Sequence, residues 1–157
     1  MAMLFHEAFE IHLGSDLVAD TTAETTTTVE DMQGFDAITY LVKLGDVDAS
    51  AALTFTAKEN TASSTSSPTP TNVTIDATTA GTLTSGTVVY TESGGDMDDK
   101  IIAITVYGSS MSKRYQFLSV TAATESYEID SIITLKHRAR TTAVTQPSDL
   151  LIAASAV

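Results

Sequence analysis

The sequence predicts an all-β fold: a single antiparallel β-sandwich or jelly-roll-like barrel of about seven strands, with an extended N-terminal arm and a C-terminal tail. Three observations predict it. Apolar side chains alternate with polar or small ones along several short runs, most regularly between Asp98 and Arg140, and such period-two alternation marks a half-buried strand. Threonine is abundant, and its branched Cβ suits a pleated surface better than a helix. No run sustains a long helical periodicity, and strands do not alternate with helical stretches. At 157 residues, the chain has the size of one domain with a full core.

In chain order, residues 1–31 read as an arm followed by a polar linker. The arm has no basic start and no small-residue cleavage site, so it is not expected to be a secretory signal. It is also too short and too acidic to span a membrane. Phe5, Phe9 and Leu13 recur every four residues, which fits a short amphipathic helix, while an extended arm pairing with a neighbouring subunit fits equally well. Either way Leu4, Phe5, Phe9 and Ile11 are candidate contact residues. Residues 19–31 are acidic and Thr-rich, bury little, and read as extended chain or a polar edge strand.

Residues 32–140 read as the sandwich. Met32-Gln33-Gly34-Phe35 is a turn into a strand from Asp36 to Leu44, with Ile38, Tyr40, Val42 and Leu44 on one face. The next strand, Ser50 to Glu59, turns Leu53, Phe55 and Ala57 inward. Ser, Thr and Pro fill residues 60–71, an exposed loop. Short strands follow at Asn72–Ile75 and Thr87–Thr91. Three consecutive strands, Lys100–Tyr107, Tyr115–Thr121 and Glu128–His137, then read as a meander. Ile102, Ile104 and Val106 alternate on the first, Gln116, Leu118 and Val120 on the second, and Ile129, Ile133 and Leu135 on the third. Residues 141–157 form a tail in which Pro147 blocks further strand and the apolar end fits a docking helix or second arm.

The chain carries a net charge of −12, which argues against nucleic acid and anionic membrane as partners. Its cations are concentrated late: Lys113 and Arg114 in a turn, and Lys136, Arg138 and Arg140 along the last strand. They read either as a solvated strand face or as a basic edge that docks on an acidic neighbour. Without cysteine there is neither a disulfide nor a thiolate metal site.

Reactive motifs are incomplete. His6-Glu7-Ala8-Phe9-Glu10 opens like a zinc-protease helix, but Glu10 stands where the second His is required. Asp96, Asp98 and Asp99 resemble the start of a calcium loop, yet Lys100 takes the fifth ligand position and the closing Glu is out of register. Asn72-Val73-Thr74 matches a glycosylation sequon. There is no nucleophile elbow or phosphate loop, and His6, His12 and His137 have no evident triad partner. No catalytic residue, cofactor or metal is expected.

Several short segments occur in a telling order: Met32-Gln33-Gly34-Phe35-Asp36-Ala37-Ile38 before Tyr40-Leu41-Val42, then Phe55-Thr56-Ala57-Lys58-Glu59, Asp98-Asp99-Lys100, Tyr107-Gly108 and Lys113-Arg114-Tyr115, and a last apolar strand ending in basic residues at Ile132–Arg140. In this the chain resembles the small virion structural proteins of tailed bacteriophages over residues 32–140. The resemblance implies a non-enzymatic capsid decoration (cement) protein on the outer surface of the head, bound to the major capsid protein and trimeric with itself. It also admits a head–tail connector, tail tube or head spike component. A host-surface or carbohydrate-binding module is a third reading, disfavoured by the absence of Trp and a 6% aromatic content, which leave few stacking platforms.

Overall fold

The computed structural model describes residues 9–70, 75–77, 82–84, 87–91 and 97–139. In chain order the strands are β1 (Phe9–Ser15), β2 (Val18–Thr21), β3 (Thr25–Thr26), β4 (Glu30–Asp31), β5 (Phe35–Val47), β6 (Ala52–Asn60) and β7 (Thr69–Pro70). They continue with β8 (Ile75–Ala77), β9 (Thr82–Thr84), β10 (Thr87–Thr91), β11 (Ile101–Tyr107), β12 (Tyr115–Ala122) and β13 (Tyr127–Ala139). One short 3-10 turn, Gly108–Ser110, is the only helical element among the described residues. No helix there is long and apolar enough to cross a membrane.

The strands form two antiparallel sheets packed face to face. One runs β1-β13-β5-β11-β8, with β2 also on β13. The other runs β3-β12-β6-β10-β9, with β4 on β12 and β7 on β6. The strand count exceeds seven because the edges are assembled from short pieces. β3, β4 and β7 are each two residues long, below what alternation in a sequence reveals.

The core forms where alternation places it. Ile38, Tyr40, Val42 and Leu44 of β5, Leu53, Phe55 and Ala57 of β6, and Ile102, Ile104 and Val106 of β11 are all fully buried. Each large apolar side chain so enclosed contributes about 1.5–3 kcal/mol. Entry to β5 depends on Gly34, whose φ of +91° lies in the region that favours glycine. That turn closes with the Phe35 amide donating to the Met32 carbonyl at 3.1 Å.

Two expectations fail. The late strands are not a meander: β11 and β13 lie in one sheet, each beside β5, while β12 lies in the other beside β6. Their connections cross between the sheets, a non-local choice that alternation does not encode. The inward face of β13 is also not Ile129, Ile133 and Leu135. Register shifts around Ile129 insert an extra residue, so Ile129 and then Ile132, Thr134 and Lys136 face inward. A bulge flips every later side chain to the opposite face. Ile133 is therefore 39% exposed.

The N-terminal segment is strand, not helix, from Phe9 onward. β1 pairs with β13 of its own chain, from Phe9 opposite His137 to Ser15 opposite Ile132, and so completes the sheet. The polar residues 19–31 are extended, as the sequence suggests, and supply β3 and β4 to the edge of the second sheet. The Ser/Thr/Pro loop is gathered by Asn60, whose amide nitrogen donates to the carbonyls of Ser64 at 2.7 Å and Ser66 at 2.9 Å.

Candidate interaction surface

The outer face of the β1-β13-β5-β11 sheet is built by register. Leu13 lies opposite Ile133, which lies opposite Leu41, which lies opposite Ala103. The next row is Ile11, Leu135, Thr39 and Thr105, and the next Phe9, His137, Ala37 and Tyr107. None of these positions is Asp, Glu, Lys or Arg, on a chain of net charge −12. The face is also where exposed apolar bulk collects: Leu13 is 46% and Ile101, beside Ala103 on β11, 62% exposed. Contiguous exposed apolar surface of this kind marks an interaction site rather than scattered surface residues.

A hydrogen-bonded string crosses the face. His137 Nε2 lies 2.9 Å from Thr39 Oγ1, which lies 2.8 Å from Thr105 Oγ1. Phe9 packs its ring 5.5 Å from the His137 ring. Burial, and secondly the charge of Arg138, holds His137 below its ordinary value, so it adds no charge at neutral pH. Charge begins only at the borders. Lys43 is held by Asp99 at 2.6 Å and Asp130 at 3.0 Å.

β1 is turned against the usual sense. Its apolar Phe9, Ile11 and Leu13 face outward with their row partners, while Glu10 and His12 face inward. Glu10 Oε1 receives both Lys136 Nζ at 2.8 Å and His12 Nε2 at 2.6 Å. Glu30 Oε2 lies 3.6 Å from Lys136 Nζ and from His12 Nδ1, and Thr28 Oγ1 donates to Glu30 Oε1 at 3.0 Å. Lys136 also donates to the Asp31 carbonyl at 3.3 Å and stands 5.1 Å from the Phe35 ring centre. This cluster fastens β1 and β4 to β13. Beside it Tyr40 Oη and Thr134 Oγ1 are buried without a hydrogen-bond partner. Burial first, and the Glu30 charge second, push the Tyr40 phenol well above its ordinary range.

The residues singled out from sequence scatter. Phe9 and Ile11 lie on the apolar face, but Lys136, 4% exposed, lies on the opposite, inner face and has no surface to offer a partner. Arg138 is exposed, with a left-handed φ of +55° near the end of β13. Lys113 and Arg114 are elsewhere, on the turn before β12. Arg114 grips Asp31 through Nε at 2.8 Å and Nη2 at 2.5 Å, which holds the Asp31 carboxyl below its usual range, and Lys113 donates to Thr69 Oγ1 at 2.7 Å. That turn is anchored by buried Glu59, which receives the Ser112 and Lys113 amides at 2.9 and 3.3 Å. Leu4, Phe5 and Arg140 lie outside the described residues. The basic residues therefore do not form one edge.

Sequence reasoning missed Leu13, Leu41, Ala103 and Ile133 as face residues. The outward Leu13 was visible in the Phe9-Ile11-Leu13 alternation, but its neighbours on the face depend on pairing and on the β13 bulge. The acidic loop before β11 acts as a clasp, with Asp98 Oδ1 accepting the Val47 amide at 3.0 Å and Asp99 holding Lys43. Among the described residues no group of His, Asp and Glu side chains is arranged to hold a metal ion. Comparison of the chain with family models, curated proteins and solved structures gives no match.

Proposed function

We infer that this protein is a structural virion protein of a tailed bacteriophage, a decoration protein that cements the mature head by docking on the major capsid protein. The supporting observation is the charge-free apolar outer face centred on Leu13, Ile133, Leu41 and Ala103, presented by an otherwise acidic sandwich. A cement protein needs a stiff body and an adhesive surface, not a reactive centre. The two packed sheets supply the first and this face the second. Binding only the assembled lattice stabilises it by mass action. The resemblance adds a position on the outside of the head and self-association as a trimer.

The test is co-sedimentation with heads of the same phage prepared without this protein, counting bound copies per major capsid subunit. Near-stoichiometric saturation, abolished by Leu13→Lys with Ile133→Lys, is the expected result. A few copies per particle indicates a connector or spike instead. No binding overturns the virion reading. Sedimentation of the free protein at high concentration, together with imaging of decorated heads, tests the trimer, and a monomer in both settings refutes it.

A further inference from the structure

The three rows of the outer face hold one side chain whose charge changes between about pH 5 and 8. It is His137, in the row Phe9, His137, Ala37 and Tyr107. The two rows beside it, from Ile11 to Thr105 and from Leu13 to Ala103, contain no Asp, Glu, Lys or Arg.

The surrounding strands offer a proton on His137 little compensation. From β1 comes the Phe9 ring, 5.5 Å away, while Glu10 and His12 turn inward to Lys136 and Glu30. β5 brings Ala37 and Thr39, and its Lys43 is held by Asp99 and Asp130 at the border. β11 brings Thr105 and Tyr107. The charged residues next to this row in sequence are Asp36, beside Ala37, and Arg138, beside His137 itself. Arg138 acts against a proton on the ring.

The ring is bonded on one side. Nε2 lies 2.9 Å from Thr39 Oγ1, and among the described residues that is its only hydrogen bond. Once protonated, both nitrogens are donors, so Nδ1–H must be served by water. An apolar partner lying on the face removes that water and leaves a charged donor buried, which costs far more than burying the neutral ring.

We propose that His137 is a proton-operated release on this face: neutral, it is covered together with Leu135, Ile133 and Leu41; protonated, it sets there a cation that docking would have to bury. The inference deepens the docking reading and rests on it. Docking withdraws the ring from water, so the docked protein takes up the proton at lower pH than the free protein. Affinity is therefore complete above about pH 6.5 and falls as pH drops through the lower value of the free protein, by up to about tenfold in Kd per pH unit for one proton.

The experiment is co-sedimentation of the full-length protein with heads prepared without it, from pH 8 down to pH 5, over the range in which circular dichroism shows the fold intact. NMR titration of the His137 ring in the free protein runs alongside. Kd is expected to rise along the His137 titration, whereas the Kd of His137→Gln, whatever its value at pH 8, does not follow that rise. Arg138→Asn, which removes the opposing charge and suits a left-handed backbone, is expected to move the release to higher pH. Affinity indifferent to pH, weakening equal in wild type and His137→Gln, or a ring that does not titrate above pH 5 overturns the release and leaves the docking standing. Absence of binding at pH 8 overturns the docking, and the release with it.

Discussion

Replacing Lys136 by Met tests whether the inward charges of β1 hold the N-terminal segment in place. Methionine keeps most of the stem but removes the ammonium that lies 2.8 Å from Glu10 and 3.6 Å from Glu30, two carboxylates enclosed with it. Stranding one side of a buried ion pair costs about 3–5 kcal/mol. His12 stays beside both carboxylates at 2.6 and 3.6 Å, so the lower end of that range applies, about 3 kcal/mol. At about 2–4 °C per kcal/mol for a domain of this size, the midpoint falls by roughly 6–12 °C. Urea unfolding followed by far-ultraviolet circular dichroism reads the loss as a shift in midpoint at constant slope. Adding Glu10→Leu to the Met variant, which removes one stranded carboxylate, is expected to recover part of it. A loss below about 1 kcal/mol, the size of a surface pair, refutes the claim that the cluster is a buried fastening.

Other changes probe neighbouring features. His137, held down by burial, is less readily protonated folded than unfolded, so its stabilising contribution is complete above about pH 6.5 and is lost as pH falls through the lowered folded value. Melting temperatures from pH 8 to pH 4.5 should therefore show a downward slope below pH 6.5 that His137→Gln reduces; an identical slope in the variant refutes this assignment. An added Cβ at Gly14 would stand 2.6 Å from Thr134 Oγ1, so Gly14→Ala should cost about 1–3 kcal/mol, and chemical unfolding without loss would show that the two strands yield easily. Thr134→Val removes a buried hydroxyl without a partner and should stabilise by about 1 kcal/mol in the same assay. Leu13→Lys with Ile133→Lys should leave the melting temperature within a few degrees while abolishing head binding, because both side chains face outward.

The strands were legible in the sequence where burial on one side imposes strict alternation, as at Ile38-Tyr40-Val42-Leu44 and Ile102-Ile104-Val106. Their partners were not. β11, β12 and β13 follow one another in sequence, yet alternate between sheets, and no local signal distinguishes that path from a meander. On β13, one bulge near Ile129 exchanged the meaning of every later position. Ile133, which reads as core, became surface, and Lys136, which reads as surface, became core. The ion cluster was hidden for the same reason, since Glu10 meets Lys136 only once β1 is known to lie on β13. Of the candidate surface, Phe9 and Ile11 were visible as apolar residues of the N-terminal arm. Most of the rest came from strands whose alternation was read for the interior.

The placement of β13 has a consequence for how the protein is made. β1 and β2 have β13 as their sheet partner, and β5 lies between β13 and β11. Phe9, among the first described residues to leave the ribosome, must wait for His137. Until then a nascent strand with Phe9, Ile11 and Leu13 along one side has no sheet to join. Such long-range pairing makes assembly slow and exposes unpaired strands to neighbouring chains. This topology favours production at a pace that lets each chain close before it meets the next.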